Sequence, residues 1–319
     1  MATNRLIVDT DGGVDDAQAL LLLIAAGRTP DAITTVFGNV NLETATANVL
    51  ATLAIAGASV PVHMGAAEPL AGDRIHAHHV HGEDGLGGAP RPERTGKVAG
   101  SDAVGFLVTT FSDAAASGDR VDLLTIGPLT NLALALQQAP GITRGLGRLT
   151  IMGGTIWGRG NVTPAAEFNV FADPEAAAVV FGAEVDATVV PWEVCVAHEL
   201  AGADIDRMFA GATDGDYRAF ALALVQNERT RHLRSGQGDC LFFIDPLAAA
   251  VAIEPDIVTR SQRACVGVAL EPGLTRGMTV VDPSGRIGTP MVTFVEEARR
   301  DRLAALFAAS VAHGRRGPS

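Results

Sequence analysis

Short apolar runs alternate with longer ones along most of this chain, and turns bearing Gly, Asp or Asn separate them. Leu6-Ile7-Val8 has the continuity of a strand buried on both faces, and residues 17–26 (AQALLLLIAA) read as a buried helix. Residues 32–37 are β-branched and apolar and end at Gly38-Asn39-Val40-Asn41, where Asn41 or Thr44 starts a helix running to about residue 56. Residues 60–63 form a short third strand. After a polar stretch the alternation resumes with a helix at 101–116 and a strand at 121–126. Pro128 then stands near the start of another helix, a position that suits proline. Next come a strand at 149–152, a polar loop from 155 to 173, a helix capped by Asp173 that runs to Phe181, and a strand at 187–193. Residues 203–233 read as one amphipathic helical region. Asp245 caps a further helix, and residues 264–270, 278–281 and 292–295 read as strands closing the sheet or forming a β-appendage. A helix at 299–313 and a basic tail end the chain. At least six strand–turn–helix passages predict one α/β domain over 1–319: a mainly parallel, doubly wound (Rossmann-like) sheet flanked by helices, with a small additional β element near the C-terminus.

The connection after the first strand carries unusual chemistry. Asp9-Thr10-Asp11-Gly12-Gly13-Val14-Asp15-Asp16 places four carboxylates within eight residues, at the end of a strand where α/β sheets bind ligands. One or two of these suit helix capping; four repel one another unless a cation sits among them or some are protonated. A hard divalent cation with oxygen ligands is the simplest partner, and the two glycines let Asp11 and Asp16 reach one ion from both sides of the loop. Asn39 is delivered to the same edge, and Asn161, Glu167 and Asn169 form a polar group suited to holding hydroxyls.

Composition narrows the partners. The 319 residues are 47% hydrophobic, enough for a substantial core, and the net charge is −12 with Lys97 the sole lysine. That balance argues against nucleic-acid polymers and anionic membranes. No stretch is apolar enough to span a bilayer and the start shows no signal-peptide pattern, so a cytoplasmic protein is expected. Cys195, Cys240 and Cys265 are widely spaced, without CxxC pairing, and read as small buried hydrophobes. Residues 65–100 form a long Gly-, Pro- and His-rich loop. His76, His78, His79 and His81 lack the helical spacing of a zinc site, and His81 is expected to serve a neighbouring pocket.

With these residues in hand, the chain resembles the nucleoside hydrolases, or nucleoside N-ribohydrolases, from Asp9 to about Ala250. DTDGGVDDAQAL is similar to that family's N-terminal signature, TIGPLTNLALAL to its central one, MGG with NVTPAAEFN to its ribose loop, and DPLAA to its late metal motif. The resemblance implies a calcium ion on Asp11, Asp16, the backbone carbonyl of Ile126 and Asp245, with Asp15 as general base. It further implies that Asn39, Asn161, Glu167 and Asn169 hold the ribose hydroxyls, that Met152 and Phe168 lie beside the sugar, and that His81 stands on the base side. A small ribonucleoside substrate and a homodimer or homotetramer follow from the same likeness.

Three departures stand out. Ile244 occupies the position before the late aspartate where many relatives carry His or Trp, which leaves His81, His232, Arg231, Trp157 and Trp192 as candidates for activating the leaving base. Gly12 replaces a common proline, and Trp192-Glu193 replaces a Leu-Asp pair. Two rival readings are a calcium-dependent nucleoside-binding protein without turnover and a phosphatase of the haloacid dehalogenase type. The latter would use Asp9 as nucleophile, but Lys97 does not lie at a helix start and NVTPAAEFN has no role there.

Overall fold

The computed structural model describes residues 4–315, so the basic tail beyond Arg315 lies outside the described residues. Eleven strands form in chain order: β1 (Arg5–Thr10), β2 (Ala32–Thr35), β3 (Val62–Met64), β4 (Val121–Thr125), β5 (Leu146–Met152), β6 (Asp186–Val190), β7 (Glu199–Ala201), β8 (Cys240–Phe242), β9 (Val258–Val268), β10 (Thr279–Asp282) and β11 (Val292–Ala298). Nine of them make one sheet in the order β10-β9-β11-β6-β5-β4-β1-β2-β3. From β3 to β11 neighbouring strands run parallel, and β9 and β10 add antiparallel at the far edge. The C-terminal strands are therefore an extension of the main sheet through β11, not a separate appendage.

The chain builds outward from β1 to β2 and β3, then returns to place β4 on the other side of β1. That reversal opens a crevice beyond the carboxyl ends of β1 and β4, because the connections leaving the two strands diverge. Alternation along each strand divides the core between the two faces. Leu6 and Val8 of β1 pack with the helices Val14–Ala25, Asp245–Ile253 and Arg300–Val311, while Ile7 faces the helices Ala103–Ser117, Thr130–Gln138 and Pro174–Phe181. The helix Val14–Ala25 is buried along nearly its whole length, which explains why its sequence after the two aspartates is apolar all round except for Gln18.

Several expected boundaries shift. The strand expected at 187–193 stops at Val190, and Pro191 turns the chain into a short helix, Trp192–Ala197. The helical region expected at 203–233 is two helices, Gly202–Ala210 and Asp216–Arg234, parted at Gly211 and Gly215. Residues 240–242 pair with β7 in a two-stranded sheet of their own. Within the long loop, His78–His81 forms one helical turn. All three cysteines are buried and free, and among the described residues no helix is long and apolar enough to cross a membrane.

Polar ties fasten the loops to the sheet. The Asn131 side chain donates to Asp9 Oδ1 at 2.7 Å and to the Thr35 carbonyl at 3.1 Å, and accepts from the Ala66 N–H at 2.8 Å. Asp173 joins the Leu70 N–H, the Thr130 hydroxyl and the Ala176 N–H. Replacing fully buried Asn131 by Ala leaves the Ala66 N–H without its acceptor and removes one of two donors from Asp9 Oδ1 and from the Thr35 carbonyl, which keep the Thr34 hydroxyl and the Gly65 N–H. Urea denaturation of Asn131→Ala is expected to show about 2 kcal/mol less stability, an orphaned buried group costing about 1–3 kcal/mol. A loss below about 1 kcal/mol would contradict this.

Candidate active site

The acidic run turns over the end of β1 through a left-handed Gly12 (φ +68°), where a side chain would also strike the Ala45 backbone. The turn sends Asp11 and Asp16 toward each other. Asp16 accepts from the Thr10 hydroxyl, the Gly13 N–H at 2.8 Å, the Asp11 N–H at 3.2 Å and the Asn39 amide at 3.1 Å. Asp11 accepts from the Asn39 backbone N–H at 2.7 Å and its side-chain amide at 2.9 Å. Gly38 permits that approach: a Cβ there would stand 2.0 Å from Asp11 Oδ2. Asn39, expected to hold a sugar, thus also braces two carboxylates.

Asp245 arrives from the start of a distant helix. One carboxylate oxygen each of Asp15, Asp16 and Asp245 lie within 4.8 Å of one another, all buried. Burial raises the pKa of Asp11, Asp15, Asp16 and Asp245, and neighbouring carboxylates push Asp11, Asp16 and Asp245 further; Asp15 reaches about 6. Asp15 Oδ1 is buried with no hydrogen-bond partner. A hard cation among these carboxylates would relieve the repulsion, so the donor set fits a divalent ion. Ile126, just past the end of β4, lines the space beside the group.

That space is a cavity of about 610 Å³, a size suited to a small organic ligand. Asp15, Asn39, His81, Ile126, Met152, Asn161, Glu167, Phe168, Asn169 and Asp245 all line it. Asp11 and Asp16 are fully buried and are not among its lining residues. Glu167 caps the helix Phe168–Ala172, accepting from the N–H groups of Asn169, Val170 and Gly154, yet burial still raises its pKa to about 7. The Asn169 amide donates to the Met152 carbonyl at 3.2 Å, and Asn161 Oδ1 accepts the Phe168 N–H at 2.9 Å. His81 Nδ1 accepts from the Val14 N–H at 3.1 Å, so its proton resides on Nε2; burial lowers its pKa to about 4. Of the other loop histidines, His79 also lines the cavity, while His76 and His78 stack on each other, His76 meeting the Gly38 carbonyl and His78 pairing with Glu83.

Other residues fall elsewhere. Asp9 faces away from the cavity, holding Thr34 and Asn131 beneath the sheet end, with a pKa raised to about 7 by burial. Trp157 is 55% exposed, and His232 is spent on the Cys240 carbonyl and Arg231. Trp192 lines the cavity, while Glu193 accepts from the N–H groups of Ile156, Trp157 and Arg159, tying down the loop that leads to Asn161. Sequence reasoning missed Val196, Ser235 and Gln237 as cavity residues; no periodicity or motif marks them.

The family profile described as inosine-uridine preferring nucleoside hydrolase matches residues 6–305. The chain is 36% identical to uridine nucleosidase 1 of Arabidopsis thaliana over 288 residues, 85% of this chain and 83% of that one. It is 37% identical to the non-specific ribonucleoside hydrolase RihC of Escherichia coli over 296 residues, 89% of this chain and 90% of that one. Among solved structures, a plant nucleoside hydrolase superposes with TM-score 0.88 at 30% identity, covering 98% of this chain and 99% of the other.

Glu193→Ala would leave the Ile156, Trp157 and Arg159 amides without their acceptor. Their hydrogen exchange is expected to accelerate by about 10–100-fold while that of β5 stays constant. Unchanged exchange would show that the loop is held by other means.

Proposed function

The chain belongs to the inosine-uridine preferring nucleoside hydrolase family and is a nucleoside N-ribohydrolase, and we propose that it cleaves uridine and inosine with a calcium ion held on its buried carboxylates. The observation that carries this reading is the Asp15, Asp16 and Asp245 cluster beside a cavity walled by Asn39, Asn161, Glu167 and Asn169. The side chains that converge, Asp15, Asp16 and Asp245, offer carboxylate oxygens, which favours a hard cation, and the several ligands Ca²⁺ accepts match a crowded carboxylate group. Asp11, Asp16, Asp245 and the Ile126 carbonyl are the proposed ligands. When bound, the ion supplies positive charge that anchors hydroxyl oxygens and makes water more acidic.

The chain's own residues account for the remaining chemistry. Asn39, Asn161, Glu167 and Asn169 hold the ribose hydroxyls, and Met152 and Phe168 pack beside the sugar. Asp15, with an oxygen free of partners, takes a proton from the attacking water. As the C1′–N bond lengthens, the sugar gains oxocarbenium character, which the surrounding carboxylates and amide oxygens stabilise. A phosphatase of the haloacid dehalogenase type is not favoured, since Asp9 faces away from the cavity and Lys97 is exposed.

Purified protein is expected to release uracil from uridine and hypoxanthine from inosine, to lose that activity in chelator and to regain it with Ca²⁺. Asp245→Asn should raise the Ca²⁺ concentration for half-maximal activity by about 10-fold or more. Asp15→Asn should lower kcat by about 10²–10⁴-fold while calorimetry still detects Ca²⁺ binding. If Asp11→Asn, and not Asp15→Asn, removes turnover with the ion retained, the base has been misassigned.

A further inference from the structure

Cleavage at C1′ leaves both bonding electrons on the nucleobase, and something in the cavity must meet that charge. Ile244 lines the cavity but cannot donate. His81 has one nitrogen on the Val14 N–H and offers only a neutral N–H. Trp192 can stack but carries no charge. Among the described residues lining the cavity, Arg231 alone brings a guanidinium or ammonium.

The setting of Arg231 is that of a fixed charge, not of a solvated surface arginine. A carbonyl oxygen only accepts, so His232 Nδ1 must donate to the Cys240 carbonyl at 2.8 Å, leaving Nε2 to accept from Arg231 Nη2 at 3.0 Å. His232 is buried and its ring lies 4.1 Å from that of Phe242. The guanidinium is thus clamped at one corner by a residue that is itself immobilised. Its Nε is buried without a partner. One turn earlier on the same helix, buried Glu228 accepts from Gln18 at 3.0 Å; burial pushes its pKa well up, and the Arg231 charge offsets part of that rise. Arg231 lines the same cavity as Asp15 and His81.

We propose that Arg231 is the leaving-group residue: its guanidinium hydrogen-bonds a carbonyl oxygen or ring nitrogen of the base and stabilises the negative charge that develops as the C1′–N bond breaks. The inference rests on the hydrolase reading above. Water oxygen forms the new bond to C1′, its proton passes to Asp15, and the departing base keeps the electron pair of the broken bond. A guanidinium does not give up its proton near neutral pH, so the anion is protonated from water after departure. A donor-only residue also favours bases with oxo groups, as in uracil and hypoxanthine.

The test compares uridine with p-nitrophenyl riboside, whose phenolate leaves without assistance, in wild type, Arg231→Gln and Arg231→Lys at saturating Ca²⁺. Arg231→Gln is expected to reduce the ratio of kcat for uridine to kcat for p-nitrophenyl riboside by about 10–100-fold, the worth of a hydrogen bond to a charged group. Arg231→Lys should restore part of that ratio. Should Arg231→Gln fold poorly, the Glu228→Gln/Arg231→Gln pair, which leaves no lone buried carboxylate, is expected to show the same fall. An unchanged ratio, whether both substrates slow equally or neither does, overturns the assignment. Wild-type protein that cleaves neither substrate fails the hydrolase reading and takes this inference with it.

Discussion

Negative charge kept from water at one end of a parallel sheet is the constraint around which this protein is arranged. Asp11, Asp15, Asp16, Glu167 and Asp245 crowd the same region, and burial raises the pKa of each. Ionised carboxylates in such a place are costly unless they are hydrogen-bonded or paired. Hydrogen bonds offset part of that cost: Asp16 draws on Thr10, Gly13, Asp11 and Asn39, and Glu167 on three backbone N–H groups. The remainder calls for positive charge, and the fold leaves room for it where Asp15, Asp16 and Asp245 converge.

Topology explains why the charge can be gathered there. Because β1 and β4 are neighbours whose connections diverge, the segment after β1, the Asn39 turn after β2 and the end of β4 all open onto one crevice. The helix Asp245–Ile253 then packs against Val14–Ala25, bringing the start of one helix beside the start of the other. Two helix beginnings, each favourable to negative charge, thus share the carboxylate cluster.

Beyond the cluster, polar ties fix the walls. Asn131 links Asp9, Thr35 and Ala66; Asp173 links Leu70, Thr130 and Ala176; Glu193 secures the loop carrying Asn161. The helix Asp216–Arg234 contributes Arg231, held by the immobilised His232, to the same cavity. The cavity accordingly combines an acidic end suited to polyhydroxyl groups with a cationic side suited to a departing base.

The alternation of apolar runs and polar turns sufficed to give the α/β class, the parallel order of the sheet and its flanking helices, because strand and helix periodicities are local properties of the chain. The acidic run was legible because such a density of like charge has no ordinary structural use, and the Asn161–Asn169 segment because Asn, Glu and Asn recur at close intervals in a polar loop. Tertiary structure alone separated Asp9, turned beneath the sheet, from its neighbours in the run, since a one-residue step along a strand reverses the face a side chain meets. It also split the long helical region, carried 240–242 into a second sheet with β7, and gave Glu193 the loop backbone to hold. Arg231 was one candidate among several in the sequence. Only packing, which spends His232 on a carbonyl and leaves Trp157 at the surface, sets it apart, because which side chains share a cavity depends on contacts between residues far apart in the chain.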